Sequence, residues 1–193
     1  GFSGYINRCC EANAKISDST DGVLFKMSDK DEEFPVSFSM TSEGLHTVAA
    51  SITDSDMDED SDGNVENETA AERNSRIINE AMNASSLLFS NAYDGADIVC
   101  RVTSAGVEQD IIICSDCHMN EFSYAIDAGE LTATVDSNGY VNLCDESGEI
   151  KYTVVAPYIY DSEDRLIDSA EYVLTDNGDG IYELTVIVDM DTD

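Results

Sequence analysis

Tryptophan is absent from this 193-residue chain, proline and histidine occur twice each, and nine Lys and Arg stand against 41 Asp and Glu. Each shortage excludes something. A net charge of −32 leaves little to neutralise a phosphate backbone, so nucleic acid is set aside as a partner. Anionic membranes are set aside by the same argument. No apolar run approaches the roughly 18 residues a membrane helix needs, and membrane insertion is not expected. His46 and His118 lie in different parts of the chain, which leaves little material for a Ser-His-Asp or Cys-His relay. No nucleophile elbow, P-loop, dinucleotide-binding glycine pattern or H-E-x-x-H is present. With 41 acids some pair of carboxylates is always close, so such a pair says nothing about glycoside hydrolysis. The missing Trp counts against a sugar-binding platform. Catalysis is not expected.

What is present suffices for a packed core, since 42% of the residues are hydrophobic. They fall in short runs separated by Gly, Asn, Asp and Ser. The runs at 22–27, 34–40 and 45–52 read as strands, and so do 87–89, 97–103, 107–114, 121–126, 131–135, 140–143, 150–155, 170–174 and 181–188. Asp136-Ser-Asn-Gly139, Asp145-Glu-Ser-Gly148 and Asp176-Asn-Gly-Asp-Gly180 carry hairpin chemistry, and such short connections argue for antiparallel pairing. Residues 69–83 have the spacing of one amphipathic helix. The expected fold is mainly β, antiparallel and sandwich-like, with that single helix. Residues 1–53 form N-terminal strands, 54–68 an acidic linker, 69–84 the helix and 85–193 the main β module.

The linker DSDMDEDSDGNVENE contains Asp58, Asp60, Asp62 and Gly63, the D-x-D-x-D-G opening of a calcium loop, with Glu66 further on. Calcium takes six to eight oxygens, and an EF-hand loop ends on a bidentate Glu at its twelfth position. Here that position is Thr69. The stretch is therefore read as a solvated connector first, and as a Ca2+ site through Asp58, Asp60, Asp62 and Glu66 second. No other cofactor is expected.

Six cysteines, Cys9, Cys10, Cys100, Cys114, Cys117 and Cys144, allow three disulfides in fifteen connectivities. They equally serve as small buried hydrophobes, and free thiols are the preferred reading. Cys114-Ser-Asp-Cys117-His118 spells the covalent haem motif, but a haem needs a cavity and an axial ligand. A small disulfide, two thiols or a chance zinc ligand come ahead of it. The chain opens on Gly1, so the lack of a visible leader says nothing against export.

Several segments of the C-terminal half carry a resemblance: Asp94-Gly-Ala-Asp-Ile98, Phe122-Ser-Tyr124, Tyr152-Thr-Val-Val-Ala-Pro-Tyr-Ile-Tyr-Asp161, and the run from Asp168 through Asn177-Gly-Asp-Gly180 to Val186. Together they resemble the β-rich module of large Gram-positive (Firmicutes) surface proteins that precedes DNRLRE domains and Rhs/YD repeats. Ala156-Pro157 and Asn177–Gly180 are the most specific parts. Cys100 departs from the family, which usually has Tyr there, and the family's Trp-Leu segment is missing. The resemblance implies a non-catalytic, exported structural module, extracellular or attached to the cell wall, whose partners are other domains of a larger surface protein. A calcium-dependent or glycan-binding adhesion module is the alternative. Tyr152, Val154, Tyr158 and Tyr160 have period-two spacing and are expected on one sheet face, and Pro157 fits an edge or a bend.

Overall fold

A computed structural model describes residues 4–8, 12–31, 33–51, 86–103, 106–114, 117–160, 165–167 and 170–189. The first four strands are β1 (Gly4–Arg8), β2 (Ala12–Ser17), β3 (Val23–Asp29) and β4 (Val36–Met40). After them come β5 (Ser86–Tyr93), β6 (Ala96–Thr103), β7 (Gly106–Ile113) and β8 (Glu121–Asp127). A second meander holds β9 (Thr132–Val135), β10 (Val141–Cys144) and β11 (Ile150–Val154). The chain closes with β12 (Ile159–Tyr160), β13 (Leu166–Ile167), β14 (Ala170–Gly178) and β15 (Ile181–Val188).

Seven strands form one antiparallel sheet in the order β1-β2-β3-β4-β8-β15-β14. The chain leaves this sheet after β4, builds β5-β6-β7 separately, and returns at β8 to pair with β4. The smaller sheets are β5-β6-β7, β11-β10-β9 and the ribbon β12-β13. Strands from residues 1–53 and from 85–193 thus share a sheet and a core. In β4, Val36, Phe38 and Met40 point inward while Ser37 and Ser39 do not, and β8 alternates the same way around Phe122, Tyr124 and Ile126. The register sets Phe38 opposite Ile126 and Met40 opposite Tyr124, so the two apolar rows coincide.

Against this face pack Phe89 and Ile98 from the β5–β7 sheet, and Val141 and Leu143 from the β9–β11 sheet. The result is two layers, with β2 facing β6 and β7, and β14 approaching β9. Tyr93 of β5 and Phe122 of β8 meet edge to face across the layers, ring centroids 5.4 Å apart. The Tyr93 hydroxyl donates to Ser42 Oγ at 3.1 Å, and the Ser123 amide donates to the same oxygen at 2.6 Å. One hydroxyl thereby satisfies polar groups from both layers.

Residues 45–51 do not form the expected strand. They make only isolated bridges, Ser19 with Ala49 and Ser51 with Leu88. The segment is a strap: buried Thr20 receives the Val48 amide and donates to the His46 carbonyl, while the His46 and Ser51 amides reach Ala92 and Leu88 of β5. Its backbone groups are divided between two elements, so no ladder can form. No helix occurs among the described residues. The expected helix at 69–83 and the acidic connector both lie outside them.

Candidate docking surface

The hairpins around β10 are fixed by two copies of one turn. In each, the Gly amide donates to the Asp carbonyl and the Asp amide donates to the carbonyl four residues on: Gly139 and Asp136 with Tyr140, Gly148 and Asp145 with Glu149. Gly139 and Gly148 take φ of 79° and 85°, which only glycine adopts at little cost. Asp136 Oδ1 accepts from the amides of Asn138 and Tyr140, and Asp145 Oδ1 from those of Ser147 and Glu149. Those bonds hold the Asp136 carboxyl below the usual range, the Asn138 amide contributing most. Asp145 is held lower still, chiefly by the Ser147 hydroxyl.

Lys151 completes this corner. Its ammonium lies 3.1 Å from Asp145 Oδ2, 2.7 Å from Glu149 Oε2 and 5.1 Å from the centre of the Phe34 ring. Hydrogen bonds to Glu149 and then Asp145 raise its pKa. Phe34 is a bulky residue in left-handed backbone, φ 49°, and its carbonyl accepts from the Tyr152 hydroxyl at 3.0 Å. The ammonium and the two carboxylates make this an ion-paired cluster. It clamps β11 to the β3–β4 connection.

Beyond β11 the inward anchoring stops. Tyr152 and Val154 pack on the core, whereas Tyr158 and Tyr160 are 63% and 58% exposed. The four residues therefore do not share one face as their spacing implied. Pro157 lies between β11 and β12, and having no N–H it separates the two strands. In the ribbon, Tyr160 is paired with Leu166, itself 64% exposed. The rings of Tyr158 and Tyr160 meet edge to face, 5.6 Å apart. Exposed large apolar side chains include Val135, Tyr140, Ile150, Val155, Tyr158, Tyr160, Leu166 and Val173. Scattered single exposures need no explanation, but Tyr158, Tyr160 and Leu166 adjoin one another on the ribbon. Leu166 and Val155 were not singled out by sequence reading, because each stands next to another apolar residue, Ile167 and Val154, and the sequence does not say which of the two turns outward.

The haem-like motif is a packed turn. The Cys114 amide donates to the Gly95 carbonyl at 2.8 Å and the Cys117 amide to the Cys114 carbonyl at 3.0 Å. Cys117 is buried in the core, and a Cβ on Gly95 would lie 2.8 Å from the Cys117 nitrogen. A thioether to a macrocycle needs an open sulfur, which this seat denies Cys117, while His118 is exposed. His46 serves the strap: its Nδ1 is 2.9 Å from the Asn91 carbonyl and its Nε2 is 3.6 Å from Asp94. Cys100 is fully buried, and burial drives its thiol pKa far up, with Asp110 adding to the shift. Asp58, Asp60, Asp62 and Glu66 lie outside the described residues. Among those described, no three His, Cys, Asp or Glu residues are arranged to hold a metal ion, and no helix is long and apolar enough to cross a membrane.

No family model, curated protein or solved structure matches the chain significantly.

Proposed function

We propose that the chain is a non-catalytic interaction module of an exported bacterial surface protein, seated in a larger assembly by the Tyr158–Tyr160–Leu166 face packing on a neighbouring domain of the same protein. The observation that carries this reading is the exposure of Tyr158, Tyr160 and Leu166 beside one another on the β12–β13 ribbon. Burying them against a partner removes apolar area from water. Charge argues for a partner on the same polypeptide. Two copies at −32 each repel one another, whereas a tethered domain reaches the face at an effective concentration that offsets such repulsion. The resemblance to surface-protein modules is a second support. The locked turns suit a rigid spacer, because they fix the β9–β10 and β10–β11 hairpins through their own side chains.

The test compares hydrogen exchange of residues 150–167 in the isolated chain and in the full-length surface protein. A Tyr158→Ser/Tyr160→Ser/Leu166→Ser variant of the isolated chain should keep its Tm within about 2 °C, as the three side chains are largely exposed. In the longer protein the same variant should lose the protection that the unsubstituted face enjoys. Equal exchange in the isolated and full-length unsubstituted proteins would show that no neighbour covers the face, and the reading would fall. The exposed Tyr158–Tyr160 pair also supports glycan binding as a second reading; a glycan array on which Tyr158→Ala abolishes a signal would favour it.

A further inference from the structure

At the far edge of the seven-stranded sheet lies β14, nine residues long. One side pairs with β15 from Ala170–Val188 to Gly178–Ile181, and no strand among the described residues pairs with the other. In an antiparallel ladder alternate residues turn both N–H and C=O away from the existing partner, so this side is a row of unused donors and acceptors. Other edges are shorter or already occupied. Ser51 bonds Leu88 in both directions on β5, β1 and β11 have five residues each, and β9 has four. The edge strand β7 carries Glu108 and Asp110, but Arg101 already pairs with both at 2.6 and 2.9 Å.

The side chains of β14 describe what would fit there. Glu171, Val173 and Thr175 are exposed on the outer face, and Tyr172 and Leu174 turn toward the core. Across the β15 pairing, Glu183 stands opposite Thr175. Among the described residues no cation pairs with Glu171, Asp176 or Glu183. A single acidic residue at an edge is a common defence against unwanted strand pairing. Here carboxylates flank an exposed valine on an open ladder, which repels another copy of this chain and attracts an extended, basic segment.

We infer that β14 is a strand-addition site for an extended Lys/Arg-bearing segment of a partner protein. The incoming strand uses the free backbone groups of β14 for affinity. Opposite Glu171 it places a cation, and opposite Val173 a β-branched residue, because directly opposed side chains are the units of sheet stabilisation. Its inward-facing residues are small, since β9 approaches β14 from the second layer. This site uses none of Tyr158, Tyr160 and Leu166 and does not depend on that face.

The test uses a fluorescent nine-residue peptide alternating threonine and lysine around a central valine, with anisotropy as readout. Two control peptides are N-methylated at the odd or at the even backbone amides. Because a strand donates to one neighbour through alternate amides only, one control should lose binding at least about tenfold while the other binds like the parent peptide. A Glu171→Lys protein should bind the parent peptide about tenfold more weakly with unchanged Tm, and the peptide should slow exchange of alternate amides within residues 170–176. Equal binding by both methylated peptides would reduce the effect to charge attraction and overturn the proposal. So would protection spread over the acidic surface, or no binding by the parent peptide.

Discussion

Gly180 lies against the backbone of Gly129 so closely that no side chain fits between them, and the Ala128 amide donates to the Gly180 carbonyl at 2.9 Å. The β14–β15 turn and the β8–β9 turn are thus joined through two glycines. Gly180 has φ of 75°, so an L-residue there meets left-handed backbone as well as the clash. Gly180→Ala should lower stability by at least about 2 kcal/mol, read by urea denaturation. Gly178→Ala, where φ is 83° but nothing lies within 4 Å, should cost only the conformational part. Equal losses would mean that the Gly129 contact is unimportant.

The Gln109 side chain donates to the Tyr124 hydroxyl at 2.9 Å, linking β7 to β8 across the layers. Burial raises the Tyr124 pKa well above normal, with neighbouring Tyr93 the next cause. Tyr124→Phe leaves Gln109 without this partner and should cost about 1 kcal/mol. Adding Gln109→Leu should recover much of that loss, because removing both partners is milder than removing one. A double variant no more stable than the single one would contradict this account.

Asp145 gives a pH dependence with a definite sign. Its folded pKa is depressed, so its contribution to stability is present above the unfolded value of about 3.9 and is lost as pH falls through the folded value. Asp145→Asn should therefore be less stable than the parent at neutral pH, and the gap should close progressively below about pH 4. Comparing the two proteins removes the opposing effect of acid, which relieves repulsion in a chain of net charge −32. Thermal melts at a series of pH values read the gap; one that stays constant into strong acid would sink the assignment.

Cys100, fully buried and with its thiol pKa pushed up, should react with iodoacetamide only when the fold opens. Its labelling rate should track urea concentration as global unfolding does, and Cys100→Ser should retain the fold with reduced stability. Fast labelling of Cys100 in native buffer would disprove the packing described.

For the acidic connector, millimolar Ca2+ and Mg2+ should shift the melt equally, and Asp58→Asn/Asp60→Asn/Asp62→Asn should leave the Ca2+ shift unchanged. A shift specific to Ca2+ that this variant abolishes would instead establish the site at Asp58, Asp60, Asp62 and Glu66.

How legible this molecule was depended on how local each cause is. The hairpins at Asp136–Gly139 and Asp145–Gly148 were readable because their turn residues act on their own backbone. Strands such as Phe122–Ile126 were readable from alternation. By contrast β2, where Ala14 and Ile16 are the apolar residues described as buried, is a strand because it pairs with β1 and β3. The strap at 45–51 looked like a strand because Leu45, Val48 and Ala50 pack on the core, yet its hydrogen bonds go to Thr20 and to β5. The exposed face was half legible. Period two grouped Tyr152 with Tyr160, but the division at Pro157 depends on Tyr152 reaching the Phe34 carbonyl, 118 positions away in sequence.

The pairing of β4 with β8 has a consequence for the chain while it is being made. β1 to β4 emerge first, and the outer edge of β4, Val36 to Met40, waits through more than eighty residues before Phe122 to Ile126 arrive to cover it. For that interval the nascent chain carries an unfinished sheet with an apolar face, the kind of species that sticks to its neighbours. A polypeptide with 41 acidic residues spread along its length keeps such half-built copies apart until the sheet closes.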